Sequence, residues 1–460
     1  MGVGGILEPL TVIVLLFGGT WINRETHGSR RCPRISQSRL HHKQSLLSTE
    51  EYKTKSRNDV FDPENITDKD EALVNRPLSP SLLVQDEEQW RKRTVGSGLY
   101  KIEIHTPNTA VFRCRMLSRL LRRFPFLVEC WYWALVYWTY QLGRAFTAVT
   151  LKENTVDVAR EHALQVIRVE QSLGIFFELD IQQFFLRHPL LMSWTNWIYS
   201  FIHIPGTIAF LVWLYYYTTT RNSLDHQMPS PLNHGVDGSP PGPPLYAARR
   251  RTLAVCNLLA FIVFTLWPCM PPRLLSDSQV PGQIGELSRS YGFVDTVHGK
   301  NGAGSVWTEN RFCNQYAAMP SLHFGYSLMI GLTIMTIPLP PKHRRSKAMQ
   351  MPLSSRISIR LALPSWRRML CLALGVAYPL TILAAIIATA NHFILDAVAG
   401  TIVCVLGWWA NPVLLNLLPL EDHFLWILRL HKPERRVIDV YERAEQQGDD
   451  GTMAHATFIE

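Results

Sequence analysis

The chain has 460 residues, of which 47% are hydrophobic and 18% charged, and its mean hydropathy of +0.01 averages very apolar stretches with very polar ones. The formal charge of +9 is carried by short Lys and Arg clusters beside apolar runs rather than by one basic domain. This argues against a nucleic-acid partner and for a membrane protein oriented by positive-inside bias. The eight cysteines form no CxxC pair, which excludes a zinc ribbon and a dense disulfide framework, leaving Cys269 and Cys313 as one candidate disulfide.

In chain order, residues 1–22 contain an apolar stretch interrupted by Glu8 and Pro9, which reads as an anchor without the basic start and small-residue cleavage site of a signal peptide. Residues 23–110 are polar, with little helical or strand period, and are expected to form a disordered cytosolic tail. Residues 111–420 hold apolar segments at 124–147, 190–218, 251–271, 317–338, 369–390 and 394–418, each near the ~20 residues that cross a bilayer. The predicted fold is therefore an all-α integral membrane bundle of about six transmembrane helices. The second segment runs long and contains His203 and Pro205, so a kink or two packed helices are expected there.

Between the first two spans, Val156, Ala159, Ala163, Val166, Ile167 and Leu173 recur at helical spacing beside a charged face, as in an interfacial helix. Residues 219–247 are rich in Pro, Gly and Ser and read as a flexible insert. Residues 421–460 form a C-terminal tail. Arg113 to Arg123, Arg221, Arg249 to Arg251, the basic stretch from Lys342 to Arg368 and the tail far outweigh the basic residues of the opposite loops. That side is therefore read as cytosolic, with both termini on it, and the Asn65-Ile-Thr67 sequon would stay unglycosylated.

Three polar clusters fall at the non-cytosolic ends of spans: Pro271 to Arg273, Asn314 to Ser327 and Ala390 to Gly400. A common pocket requires such convergence on one face. His392 and Asp396 are four residues apart, so a helix beginning near Asn391 would put them one turn apart on one face, with the carboxylate holding one ring nitrogen and leaving the other basic. His323 follows Pro320-Ser321-Leu322, where Pro320 suits the first turn of a helix whose free N–H groups attract phosphate; Ser321 adds a hydroxyl and His323 an acid. Arg273 offers a bidentate fork to phosphate oxygens.

PSLH near a helix start and NHxxxD before a later span resemble the second and third motifs of the type-2 phosphatidic acid phosphatase superfamily. Within it, WPCMPPRLL, GFVDT, NQYAAMPSLHFGYS and TANHFILDAVAG are similar to the branch containing fungal inositol phosphorylceramide synthases, over roughly residues 124–418. The resemblance implies His392 as the nucleophile, Asp396 as its orienting carboxylate, His323 as the acid that protonates the leaving group, and Ser321 and Arg273 as phosphate ligands. The chain departs from the phosphatase pattern in having Ala385 and Ile386 where a Ser-Arg pair precedes the third-motif histidine, and the Lys-led first motif is not evident. Arg273, Lys300, Arg311, Asn314 and Gln315 are then the candidate phosphate donors.

The implied activity is a membrane phosphotransferase working on a lipid phosphate ester through a phosphohistidine, with inositol phosphate transfer to ceramide as the specific form. The alternatives are a lipid phosphate phosphatase using water and an inactive membrane scaffold or transporter. The chemistry calls for no metal and no cofactor. The expected partner is a phospholipid or sphingolipid within a Golgi or other endomembrane, with the active site lumenal.

Overall fold

The computed structural model describes residues 4–25, 89–97, 100–150, 155–221, 242–296, 315–339, 347–354 and 357–433. Helix α1 (Gly4–Ile22) lies along α7 (His203–Tyr215). Their contact is close, because a side chain at Gly19 would meet Phe126 and Val212 at 3.0 Å. The end of α1 is tied to the same neighbour through buried Asn23, whose Oδ1 accepts the Thr220 hydroxyl at 2.6 Å.

The polar segment ahead of the bundle departs from expectation at its end. Residues 90–107 form an antiparallel hairpin, β1 (Trp90–Ser97) with β2 (Tyr100–Pro107). Its anchor is a distant carboxylate. Asp422 accepts Nε and Nη2 of Arg93 at 2.8 and 3.1 Å and the Thr106 hydroxyl at 2.8 Å. A local sequence window over Arg93 and Thr106 does not reach Asp422, so this anchor is invisible there. Residues 26–88, including the Asn65 sequon, lie outside the described residues.

After α2 (Met116–Arg123), α3 (Phe126–Thr150) begins with fully buried Phe126. Helix α4 (Thr155–Leu173) buries Ala159, Ala163, Val166 and Ile167, the stripe expected from its period, while Leu173 is exposed. Helices α5 (Glu178–Leu186) and α6 (Pro189–Trp197) follow. The long second apolar segment is neither broken nor sharply split: α6 runs into α7 through a π-helical turn at Ile198–Ile202, and a second π turn at Tyr216–Thr220 closes it. Such one-residue expansions re-aim side chains without losing the backbone ladder.

Helix α8 (Gly242–Leu266) starts inside the stretch read as a flexible insert, with Pro243 and Pro244 in its first turn, where a missing N–H costs nothing; residues 222–241 lie outside the described ones. After α9 (Gly282–Ser290) come α10 (Leu322–Thr336), α11 (Trp366–Ala388) and α12 (Ile394–Ala410), which continues through a 3₁₀ turn into α13 (Leu418–Ile427). A second hairpin, β3 (Lys347–Ser354) with β4 (Ile357–Leu363), precedes α11, so the described chain is mostly helical rather than all-α.

Among the described residues, two helices, Trp366–Ala388 and the composite Ile394–Ile427, are long and apolar enough to cross a membrane, and Leu322–Thr336 is a shorter apolar helix. Helix α10 packs against both α11 and α12 at glycine contacts. A Cβ on Gly325 would stand 2.9 Å from the Gly400 carbonyl oxygen, and one on Gly331 would collide with the Gly375 carbonyl. These bare backbones let α10, which carries His323, and α12, which His392 precedes, meet at backbone distance.

Candidate active site

The three clusters at the ends of the apolar segments are stitched together by backbone hydrogen bonds. Cys269 N–H donates to Tyr316 O at 2.8 Å and Ala318 N–H to Cys269 O at 3.0 Å, a short parallel bridge between the WPCMPPRLL segment and the approach to α10. Arg273 N–H donates to Ala390 O at 2.9 Å, and Ser321 N–H to Asp396 O at 2.9 Å. Cys269 keeps a free, buried thiol, so the expected pairing with Cys313 is not made; among the described cysteines, Cys114 is engaged in a disulfide.

The chain reaches His392 through a tight reversal. Helix α11 ends at Ala388, and buried Ala390 takes a left-handed conformation (φ 50°) that costs a non-glycine residue on the order of 1–2 kcal/mol. Ile386 O then accepts both Asn391 N–H at 3.0 Å and His392 N–H at 3.2 Å. The position where a Ser-Arg pair would stand is thus filled by buried Ala385 and Ile386, and Ile386 contributes its carbonyl to the turn.

Because α12 begins at Ile394, His392 precedes the helix instead of standing on its face, which corrects the one-turn spacing expected for His392 and Asp396. The carboxylate reaches back. Asp396 Oδ2 accepts Phe393 N–H at 2.9 Å and lies 3.4 Å from His392 Nδ1. The shorter bond of Nδ1 goes to Ala318 O, at 2.8 Å. A carbonyl only accepts, so Nδ1 carries the proton and Nε2 holds the lone pair. That lone pair points to His323, whose Nδ1 is 3.4 Å away, with ring centroids 5.5 Å apart.

His323 sits in the first turn of α10. Ser321 is the N-cap, its Oγ accepting Phe324 N–H at 3.4 Å, and Pro320 lies one residue before the cap, not in the first turn as expected. Ser321 is fully buried, so its hydroxyl serves first to close the helix end.

Arg273 is held from two sides. Its Nε donates to Asn391 Oδ1 at 2.8 Å and its Nη1 to Asp295 Oδ2 at 3.1 Å. Asn391 is itself fixed by Thr389, whose Oγ1 accepts its Nδ2 at 2.8 Å. The guanidinium is therefore locked beside the residue preceding His392. Lys300, Arg311 and Asn314 lie outside the described residues, and Gln315 is exposed.

Several site residues were not legible as such. In the sequence His203 is no more than a polar residue in a long apolar segment. The π turn sets Tyr199 and His203 on one side of α10, with ring centroids 4.9 and 4.7 Å from that of His323. His203 is buried and its Nδ1 has no partner. Glu170 and Glu178 accept the N–H groups of Leu395 and Ile394, each at 2.8 Å. The signal for Glu170 was present: it continues the apolar stripe of Ala163, Val166 and Ile167, where a carboxylate has no place unless it is used.

A family profile described as the PAP2 superfamily matches residues 164–225, 242–344 and 358–410. No curated protein and no solved structure matches significantly. The matched segments contain His323, His392, Asp396, Ser321 and Arg273. Across those segments, a little under half of the chain, the protein is similar to the PAP2 superfamily, membrane-associated proteins that are generally phosphatases or phosphotransferases acting on phosphate esters.

Proposed function

We propose that the chain is a multi-pass membrane phosphotransferase that moves the phosphoryl-linked head group of a phospholipid to a second lipid alcohol. The observation that carries this reading is the placing of His392, whose Nδ1 is held by Ala318 O and whose Nε2 meets His323 Nδ1 at 3.4 Å. In the first half, Nε2 forms a bond to phosphorus as the phosphorus–oxygen bond to a diacylglycerol breaks. Protonated His323 gives the leaving oxygen its proton. In the second half, the acceptor hydroxyl loses its proton to His323 as its oxygen bonds phosphorus and the phosphorus–nitrogen bond breaks. Seating a phosphoryl group between the two nitrogens requires a ring to turn, because 3.4 Å is contact distance.

Arg273 stabilises the oxyanion charge that builds in both halves. Asp396 and the Ala318 carbonyl both face the Nδ1–H, orienting the ring and favouring its cationic form. The likeness of the four motifs to inositol phosphorylceramide synthases supports phosphatidylinositol as donor and ceramide as acceptor. Six spans, built from α3, α6 with α7, α8, α10, α11 and α12, would place this site on the lumenal face of an endomembrane with both tails cytosolic.

Purified protein given labelled phosphatidylinositol should yield a labelled sphingolipid only when ceramide is added. Release of free inositol phosphate at the same rate without ceramide would instead establish a hydrolase, and no turnover with either would sink the catalytic reading.

A further inference from the structure

The segment after His392 is held by one side chain of α12 itself and by two from other helices. The N–H groups of Phe393, Ile394 and Leu395 are accepted by Asp396 Oδ2 at 2.9 Å, Glu178 Oε1 at 2.8 Å and Glu170 Oε1 at 2.8 Å. These are the donors that a helix start leaves without intrahelical partners, and negative charge is favoured there. One or two caps would suffice for stability. Here three carboxyl groups from α4, α5 and α12 converge on consecutive amides, and all three residues are fully buried.

Three full charges so close together and away from water would repel. The second oxygens of all three, Oε2 of Glu170, Oε2 of Glu178 and Oδ1 of Asp396, are buried and receive no donor. Burial first, and then the Glu178 charge, push the Glu170 carboxyl up to about 9. The Glu170 and Glu178 carboxyls lie within hydrogen-bond reach of one another, so a proton on one of them can be shared between the two and removes one charge.

We propose that Glu170 and Glu178 are positioning residues: an acid–carboxylate pair sharing one proton that clamps residues 394–395 and so holds His392 against Ala318 with its Nε2 turned to His323. The pair touches no substrate and acts only through His392. The inference rests on the reading of His392 as the nucleophile.

The full-length enzyme tests it through Glu170→Gln, Glu170→Ala and His392→Ala. Glutamine keeps the acceptor for Leu395 N–H, and its amide donates to Glu178 as the shared proton does, so kcat should stay within a few-fold of wild type. Alanine removes the acceptor and lets the segment shift, so kcat should fall about 10²-fold with KM little changed, the cost typical of a small misplacement. The pH profile separates this from a merely structural role. The groups facing Glu170 are Glu178, Asp396 and the Cys269 thiol. With the Glu170 carboxyl raised, the clamp is intact below about pH 9 and lost as pH rises through it, when the carboxyls repel.

Wild-type kcat should show that alkaline decline, and Glu170→Gln should remove it. Unchanged kcat in Glu170→Ala, with His392→Ala dead, would overturn the clamp but leave the nucleophile standing. Full activity in His392→Ala would instead overturn the reading beneath it. If Glu170→Ala does not fold, persistence of the alkaline decline in Glu170→Gln overturns the shared proton by itself.

Discussion

His392 Nε2 and His323 Nδ1 lie 3.4 Å apart although 69 residues separate them in the chain. One ring stands before α12 and the other in the first turn of α10. Their asymmetry predicts separable roles. His392→Ala should abolish turnover and any acid-labile phosphoenzyme. His323→Ala should slow substrates with poor leaving alcohols by about 10²–10⁴-fold, the usual worth of a general acid, and an activated aryl phosphate far less. Rapid-quench trapping of labelled enzyme checks both; near-normal turnover by His392→Ala would remove it from the mechanism.

Arg273 should matter through its fork as well as its charge. Arg273→Lys keeps the charge but cannot bridge Asn391 and Asp295 as the planar group does. Its kcat should fall by about 10²–10³-fold, the cost of losing one preorganised oxyanion donor. Asn391→Ala, which frees the guanidinium without removing it, should fall between Arg273→Lys and wild type. Equal activity of all three would mean that Arg273 does not meet the reacting phosphate.

The approach of α10 to α12 depends on Gly325 and Gly400. A methyl group on Gly400 would run into the Ser321 carbonyl, and one on Gly325 would stand 2.9 Å from the Gly400 carbonyl. Gly400→Ala should therefore cost about 1–3 kcal/mol, as overpacking does, and lose activity out of proportion because Ser321 leads directly into His323. Thermal melting and turnover on the same preparation would reveal it; an unaffected pair of values would mean that the helices do not meet so closely.

The charge pattern predicts that tags in the 222–241 insert and at the C-terminus face the cytosol. The disulfide at Cys114 pulls the other way, since a reducing cytosol does not sustain one. Protease digestion of sealed microsomes, with and without detergent, decides between them. Protection of both tags would reverse the orientation and move the site to the cytosolic face.

Asp422 should pin the first hairpin. Asp422→Asn removes the charged acceptor of Arg93 while keeping nearly the same volume, and a broken partly buried charge pair costs roughly 1–3 kcal/mol. Limited trypsin digestion should then cut at Arg91, Lys92 or Arg93 sooner than in wild type. An unchanged digestion pattern would mean that other contacts hold the strands.

Local chemistry made the motif residues legible. The pattern around Pro320 to His323 and the NHxxxD spacing mark groups whose reactivity belongs to the side chains themselves, and the period of α4 marked its buried stripe in advance. What depends on partners far along the chain was not legible. Asp422 holds Arg93 across more than three hundred residues, so the anchor of the hairpin at 90–107 cannot be read from any local window.

The choice of Ala318, rather than Asp396, as the nearest acceptor for His392 follows from where α12 begins, and that start is held by Glu170 and Glu178 from other helices. The π turn that brings Tyr199 and His203 beside His323 places rings from one helix against another, a meeting that spacing along the chain does not announce. Sequence by itself determined which groups can react. Only the folded chain decided their direction, because hydrogen-bond direction depends on backbone placement to within tenths of an ångström and is carried by no single residue.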